Sequence, residues 1–178
     1  MSCSSIVLNG IGVGCKDNLA SIKEVYVIKK DDVVGAPTVD DGIITEIELK
    51  DSAKFSTYKF RKGTSSMSTN MTVDEAAGTM AFTTEIALQF NKLQTSTRLE
   101  LMALAMDDLV AIVKDGNDKY WYLGYDFPVT VTSMTANSGV NFNEFQGYTI
   151  TLQDTSRELP FEVNATAIEG KINPAPTA

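Results

Sequence analysis

The clearest pattern along the chain lies at residues 79–90. There Met80, Phe82, Thr84, Ile86, Leu88 and Phe90 alternate with Thr79, Ala81, Thr83, Glu85, Ala87 and Gln89. A period of two places the first set on one face of a strand and the second on the other. A strand longer than the usual five or six residues, with one apolar face, suits a sheet packed on a core or continued across a subunit boundary. Residues 22–29 and 43–49 are short, rich in β-branched side chains and bounded by Asp31, Asp32, Asp41 and Gly42, so both predict strands. Residues 54–61 carry Phe55, Tyr58 and Phe60. After a break at Lys62 and Gly63, the stretch to Val73 puts Met67, Thr69, Met71 and Val73 on one side, and the two together predict a hairpin.

One segment has the helical period. Thr97 is followed three residues later by Glu100, a capping-box spacing that predicts a helix over 96–106. Leu99, Met102, Ala103 and Met106 then share a face, expected to pack on a sheet, and Asp107 with Asp108 marks the exit. Residues 109–114 and 119–125 flank Asp115, Gly116, Asn117 and Asp118, a hairpin with a polar turn. Pro128 opens a further strand through Met134, a polar stretch runs to Asn143, and 148–152 supplies another strand. Eight to ten strands, one helix and no βαβ alternation define a mainly β chain. The expected architecture is an antiparallel β-sandwich or partly closed β-barrel with one flanking α-helix. It forms one β-rich domain over 1–163, opened by an N-terminal segment at 1–20, with 164–178 as a C-terminal tail or arm.

Composition narrows the function. A chain of 178 residues buries roughly 70% of the surface its unfolded form exposes, so it needs neither disulfide nor metal to fold. Its 15 basic and 23 acidic residues leave a net charge of -8, which repels phosphate backbones and argues against a dedicated nucleic-acid binder. No apolar run approaches the roughly 18 residues of a membrane span, and no positive charge precedes Ile6, Val7 and Leu8, so the expectation is a chain without secretion signal or membrane anchor. Gly12, Val13 and Gly14 before Cys15 faintly resemble a lipidation site but lack its basic start. Cys3 and Cys15 are too few for a tetrahedral zinc site, and no histidine assists them. Free thiols are the expected state in a reducing cytosol, with a disulfide between the two left open.

Without histidine there is no Ser-His or Cys-His relay. Gly10, Gly12 and Gly14 miss the phosphate-loop spacing, since Lys16 is followed by Asp17. The oxygen ligands of Asp115, Asn117 and Asp118 lack the downstream Glu of a calcium loop. Acids gather mainly at turns, as in Asp31 with Asp32, Asp40 with Asp41 and Asp107 with Asp108, where solvation explains them. No catalytic, cofactor-binding or metal-binding residue is therefore expected. A cryptic carboxylate-dependent hydrolase stays as one alternative. A monomeric adhesin or carbohydrate-binding module, using Trp121 with Tyr120 or Tyr122, is the other. Strand alternation would divide Tyr120, Trp121, Tyr122, Tyr125 and Phe127 between two faces, which favours core plus interface.

Four long stretches carry a resemblance: LVAIVKDGNDKYWYLGYDFPVTVTSMTANSG at 109–139, FQGYTITLQDTSRELPFEV at 145–163, GCKDNLASIKEVYVIKKDDV at 14–33 and FRKGTSSMSTNMTVDEAAGTMAFTTEIALQFNKL at 60–93. Together they span most of the chain, without a short motif of catalytic strength. They resemble small structural proteins of crAss-like tailed phages of Bacteroidales. The resemblance implies a non-enzymatic virion protein of the tail or neck, tail-tube-like, forming a homo-oligomeric ring or tube. Its partners would be copies of itself and adjacent ring proteins, and it would assemble in the host bacterial cytoplasm. A subunit bordering passing genomic DNA gains from negative charge, because basic side chains would hold phosphates, and Asp31, Asp32, Asp115, Asp118 and Asp126 are the expected lumen-facing acids.

Overall fold

The strands at 22–29 and 109–115 are apolar on both faces, the pattern of strands covered from two sides. The computed structural model describes residues 10–12 and 16–175 and shows why. The elements are β1 (Ile22–Lys29), a 3-10 turn (Lys30–Asp32), β2 (Thr38–Asp40), β3 (Ile43–Glu46), β4 (Ser56–Lys59), β5 (Ser66–Asp74), β6 (Thr79–Asn91), α1 (Thr95–Met106), β7 (Leu109–Asp115), β8 (Tyr120–Leu123), β9 (Thr130–Asn137), β10 (Gly147–Ser156), β11 (Phe161–Val163) and α2 (Ala165–Ile168). A seven-stranded sheet runs β2-β3-β11-β8-β7-β1-β4, and a four-stranded sheet runs β5-β6-β10-β9. Strand pairs are antiparallel in both sheets except β3 with β11 in the larger one. The chain is a mainly β sandwich of two sheets with one long helix and no closed barrel.

Alternation in the central strands builds two cores. Val25 and Val27 of β1 with Leu109, Ala111 and Val113 of β7 face the small sheet, meeting Ile86 and Leu88 of β6 and Ile150 and Leu152 of β10. Tyr26, Ile28, Val110, Ile112 and Tyr122 point the other way, against Ile44, Ile47, Phe55, Val163, Ala167 and Ile168. Each such side chain contributes about 1.5–3 kcal/mol when fully buried. The alternation at 79–90 is observed as β6: Thr84, Ile86 and Leu88 are buried, with Thr83 and Ala87 on the other face half-buried and Glu85 exposed. β6 also crosses the large sheet, because Phe82 lies by Trp121 of β8 and Phe161 of β11 while Phe90 packs on Tyr58 and Phe60 at the β4 end.

Four expectations need correction. Residues 54–73 do not form a hairpin: β4 pairs with β1 in the large sheet, and β5 pairs with β6 in the small one. The turn at Lys62 and Gly63, where Gly63 adopts a φ of 75°, carries the chain from one sheet to the other. The strand predicted over 43–49 stops at Glu46, although Ile47 still enters the core and Leu49 bridges Val33.

The helix begins before its supposed cap. Gln94 holds the N-cap position without a side-chain bond, and Thr97 lies inside the helix. Helix phase is set by burial of Leu101 and Leu104, which leaves Leu99 57% and Met106 79% exposed and Ala103 on the surface. Residues 164–173 are no arm. Asn164 caps α2 through Thr166 N–H at 3.2 Å, Ala167 and Ile168 enter the second core, and Asn173 N–H bonds Phe55 O at 2.8 Å. Their apolar side chains cover the outer face of a sheet that is otherwise open to water.

Candidate functional site

The β1–β7 register places the singled-out acids at two ends of the large sheet. Ile22 faces Asp115 and Lys29 faces Leu109, so Asp115 and Asp118 sit at one end and Asp31 and Asp32 at the other. Asp126 belongs with the latter, because it follows Gly124, whose carbonyl accepts from Lys30 Nζ at 2.6 Å. The five do not form one patch, and three of them have local partners. Asp118 pairs with Lys23 at 2.8 Å and Lys114 at 3.2 Å, whose hydrogen bonds hold its carboxyl below the ordinary value. Asp126 takes Arg157 at 2.7 Å, Nε at 3.3 Å and the Arg157 backbone N–H at 2.8 Å, and the guanidinium keeps it ionised.

Asp115 organises the β7–β8 turn. Its Oδ1 accepts from Asn117 N–H at 2.8 Å and Lys119 N–H at 2.9 Å, and its Oδ2 from Trp121 Nε1 at 3.0 Å. These donors use the oxygens that a calcium ion would need. Gly116 N–H donates to Ser21 O at 2.8 Å, and Leu19 N–H to Asn117 Oδ1 at 2.8 Å, so the turn pins the chain entering β1. Gly116 is required by this approach, since a Cβ there would lie 2.3 Å from Leu19 O.

The aromatic group divides as alternation demands. Tyr120 and Tyr122 face the second core, with Tyr122 only 1% exposed, whereas Trp121 faces the first. Tyr125 packs on Phe161 with ring centroids 4.9 Å apart, and Phe127 is exposed. No pair in β8 makes a flat, open stacking platform.

Two features escaped the sequence reading. One is an open apolar groove of about 1570 Å³ where the two sheets part, walled by Phe82, Trp121, Tyr125 and Phe161, with Met80 and Leu159 at its mouth. Asp41, Glu158 and Glu162 also line it, Glu162 being paired with Lys119. Its residues come from four distant segments, so no local signal announces it.

The other is Asp154, 3% exposed on the inner face of β10. It accepts Gly124 N–H at 3.2 Å and lies across from Thr84, whose Oγ is 2.8 Å from that of Thr69. Burial pushes its carboxyl up to about 6, with Asp126 adding to the rise and the Gly124 N–H, Lys30 and the Thr155 N–H opposing it. Its signal was legible: Tyr148, Ile150, Leu152, Asp154 and Ser156 share one register, and an acid breaks the apolar series. Asp154 with Asp126 is the carboxylate pair a hydrolase would need, yet Asp154 is shut between the sheets and Asp126 is held by Arg157.

The small sheet has its own chemistry. None of β5, β6, β9 and β10 contains Lys or Arg. Register places Ser66, Ser68, Asn70 and Thr72 of β5, Thr83, Glu85, Ala87 and Gln89 of β6, and Thr149, Thr151, Gln153 and Thr155 of β10 on its outer face, with one charge among them. Among the described residues no cluster of acids or cysteines is arranged to hold a metal, and no helix is long and apolar enough to cross a membrane. Cys3 and Cys15 lie outside the described residues.

No protein-family model and no curated protein matches the chain. Among solved structures, a chain titled "Virion of native gene transfer agent (GTA) particle" is similar: identity is 13%, the likeness covers 75% of this chain and 98% of that one, and the TM-score is 0.35. A likeness of that size transfers no function.

Proposed function

We propose that this chain is a non-enzymatic structural protein of a tailed-phage virion, a subunit of a homo-oligomeric ring or tube in the tail or neck that forms part of the DNA conduit. The observation that carries the reading is the four-stranded sheet. Both its edge strands, β5 of nine residues and β9 of eight, are paired on one side only. β5 carries neither the Lys nor the Pro that blunts a solvent-facing edge, which is the condition of a strand completed by another copy. The same sheet offers phosphates hydroxyls and amides but no cation, so duplex DNA passes it without being held. The sequence resemblance to crAss-like phage tail and neck proteins supports the same role. Adjacent ring proteins would be the axial neighbours, with assembly in the bacterial cytoplasm.

Native mass spectrometry and electron microscopy of the purified protein test this, with a gel-shift titration against duplex DNA beside them. Closed rings or stacked tubes without measurable DNA affinity are expected. A monomer at every concentration up to several hundred micromolar, or tight salt-sensitive DNA binding, would overturn it.

A further inference from the structure

The outer face of α1 is the anomaly that leads furthest. Helical geometry puts Leu101 and Leu104 on the buried side and Leu99, Ala103 and Met106 on the side opposite, with the half-buried Met102 at its border. The only charged residues of α1 are Arg98 and Glu100, both on its flanks, and Glu100 is already bonded to Tyr58 Oη at 2.6 Å. A helix apolar on both sides is normally covered on both sides. Here the second side meets water, with Leu93 just before the helix adding to the exposed apolar surface.

The groove is the complementary shape. It lies by the β2, β3 and β11 end of the large sheet, whereas α1 is tied to β4 at the other end through Tyr58. The two patches on one molecule therefore cannot satisfy each other. At about 1570 Å³ the groove exceeds the roughly 300–1,000 Å³ of a small-molecule site and suits a macromolecular segment. Its lining carries Asp41, Asp126, Glu158 and Glu162 against the one cation Arg157, with Asp126 paired to Arg157 and Glu162 to Lys119, so it is net negative. The approach to α1 carries Lys92 and Arg98, neither of which forms an ion pair among the described residues. Apolarity and the sign of the net charge match ridge to groove.

We propose that the groove at Phe82, Trp121 and Phe161 receives the Leu99–Met106 ridge of α1 from a second copy of this chain. The inference rests on the self-assembly reading above and names one of its contacts. Two different patches meet, so the contact is heterologous and propagates from copy to copy, as a ring or stacked tube requires. Leu99 and Met106 seat among aromatic and methionine side chains, where sulfur–aromatic contact adds to burial.

The test uses two full-length variants: a ridge variant, Leu99→Glu with Met106→Glu, and a groove variant, Met80→Lys with Leu159→Lys. All four positions are exposed, and thermal melts check that each variant stays folded, with Met106→Gln and Leu159→Gln as milder substitutes. Analytical ultracentrifugation reads self-association. Each variant alone is expected to associate at least tenfold more weakly than the wild type. A 1:1 mixture is expected to form a discrete heterodimer, because it holds one intact ridge and one intact groove. Wild-type assembly undiminished in both variants, or a mixture no tighter than its parts, overturns the ridge-in-groove contact and leaves the ring reading standing. A wild type that stays monomeric throughout removes both.

Discussion

Asp154 in the small sheet accepts the backbone N–H of Gly124, the residue that follows β8 of the large sheet, at 3.2 Å, joining the two sheets through a carboxylate that is almost fully buried. Lys30 holds the carbonyl of the same residue at 2.6 Å, and Gly124 itself needs its φ of 94° to present both groups. The groups facing Asp154 are Gly124, Lys30, Asp126 and Tyr122, with Thr84 across the strand pair.

This contact gives stability a pH signature. The folded carboxyl sits at about 6, above its ordinary 3.8, so the ionised form penalises the folded state at neutral pH by about 3 kcal/mol. The penalty is full above pH 6, shrinks as the pH falls through 6, and is gone below 3.8. Asp154→Asn is expected to be more stable than the wild type by about 2 kcal/mol at pH 7.5, with the advantage vanishing toward pH 4. Urea unfolding at a series of pH values checks it, and a pH-independent difference would refute the assignment.

The helix separates its buried face from its exposed one. Leu101→Ala and Leu104→Ala are each expected to cost about 2–5 kcal/mol, whereas Leu99→Ala and Thr97→Ala stay within about 1 kcal/mol. Chemical denaturation of the four variants decides this. Equal losses at Leu99 and Leu101 would mean that the helix is rotated from the phase described.

Trp121, the single tryptophan, reports on the β7–β8 turn. Asp115→Ala removes the acceptor of two backbone N–H groups and the indole N–H, and is expected to cost about 2–4 kcal/mol and to shift Trp121 emission. Gly116→Ala, which drives a methyl into Leu19 O, is expected to speed hydrogen exchange at Leu19 and Gly116 while leaving β6 and β10 protected. Exchange unchanged at both amides counts against the pinning.

Truncation after residue 163 tests the second core. Removing α2 and Ile172 bares Ile44, Ile47 and Phe55, and the shortened chain is expected to bind a hydrophobic dye and precipitate. A soluble truncation with an unchanged melting temperature would restore the reading of 164–178 as an arm.

What the sequence made legible follows from period. The β6 alternation, the β7–β8 hairpin and the division of Tyr120, Trp121 and Tyr122 depend only on side chains two residues apart, and all three are found. The β4–β5 hairpin failed because two adjacent strands joined by a glycine turn look alike whether they pair with each other or part to different sheets. α1 was found where expected, but its buried face was misassigned because it is apolar on both sides, and local spacing cannot tell which side the sheets take. The groove and the α2 cover depend on segments brought together only by topology. No pattern within a dozen residues records them.

A sheet without lysine or arginine also escapes the usual chemistry of mapping. No such residue lies between Lys62 and Lys92 or between Lys119 and Arg157, and these two stretches hold all four strands of the small sheet. Trypsin will release it as two long fragments even from the unfolded chain, and amine-reactive crosslinkers will find nothing on it to join. A crosslinking map of the assembled particle would leave this face blank however intimately it were packed. Carboxylate-directed reagents at Glu85, or a protease that cleaves beside aromatic residues, are the ones that can register it.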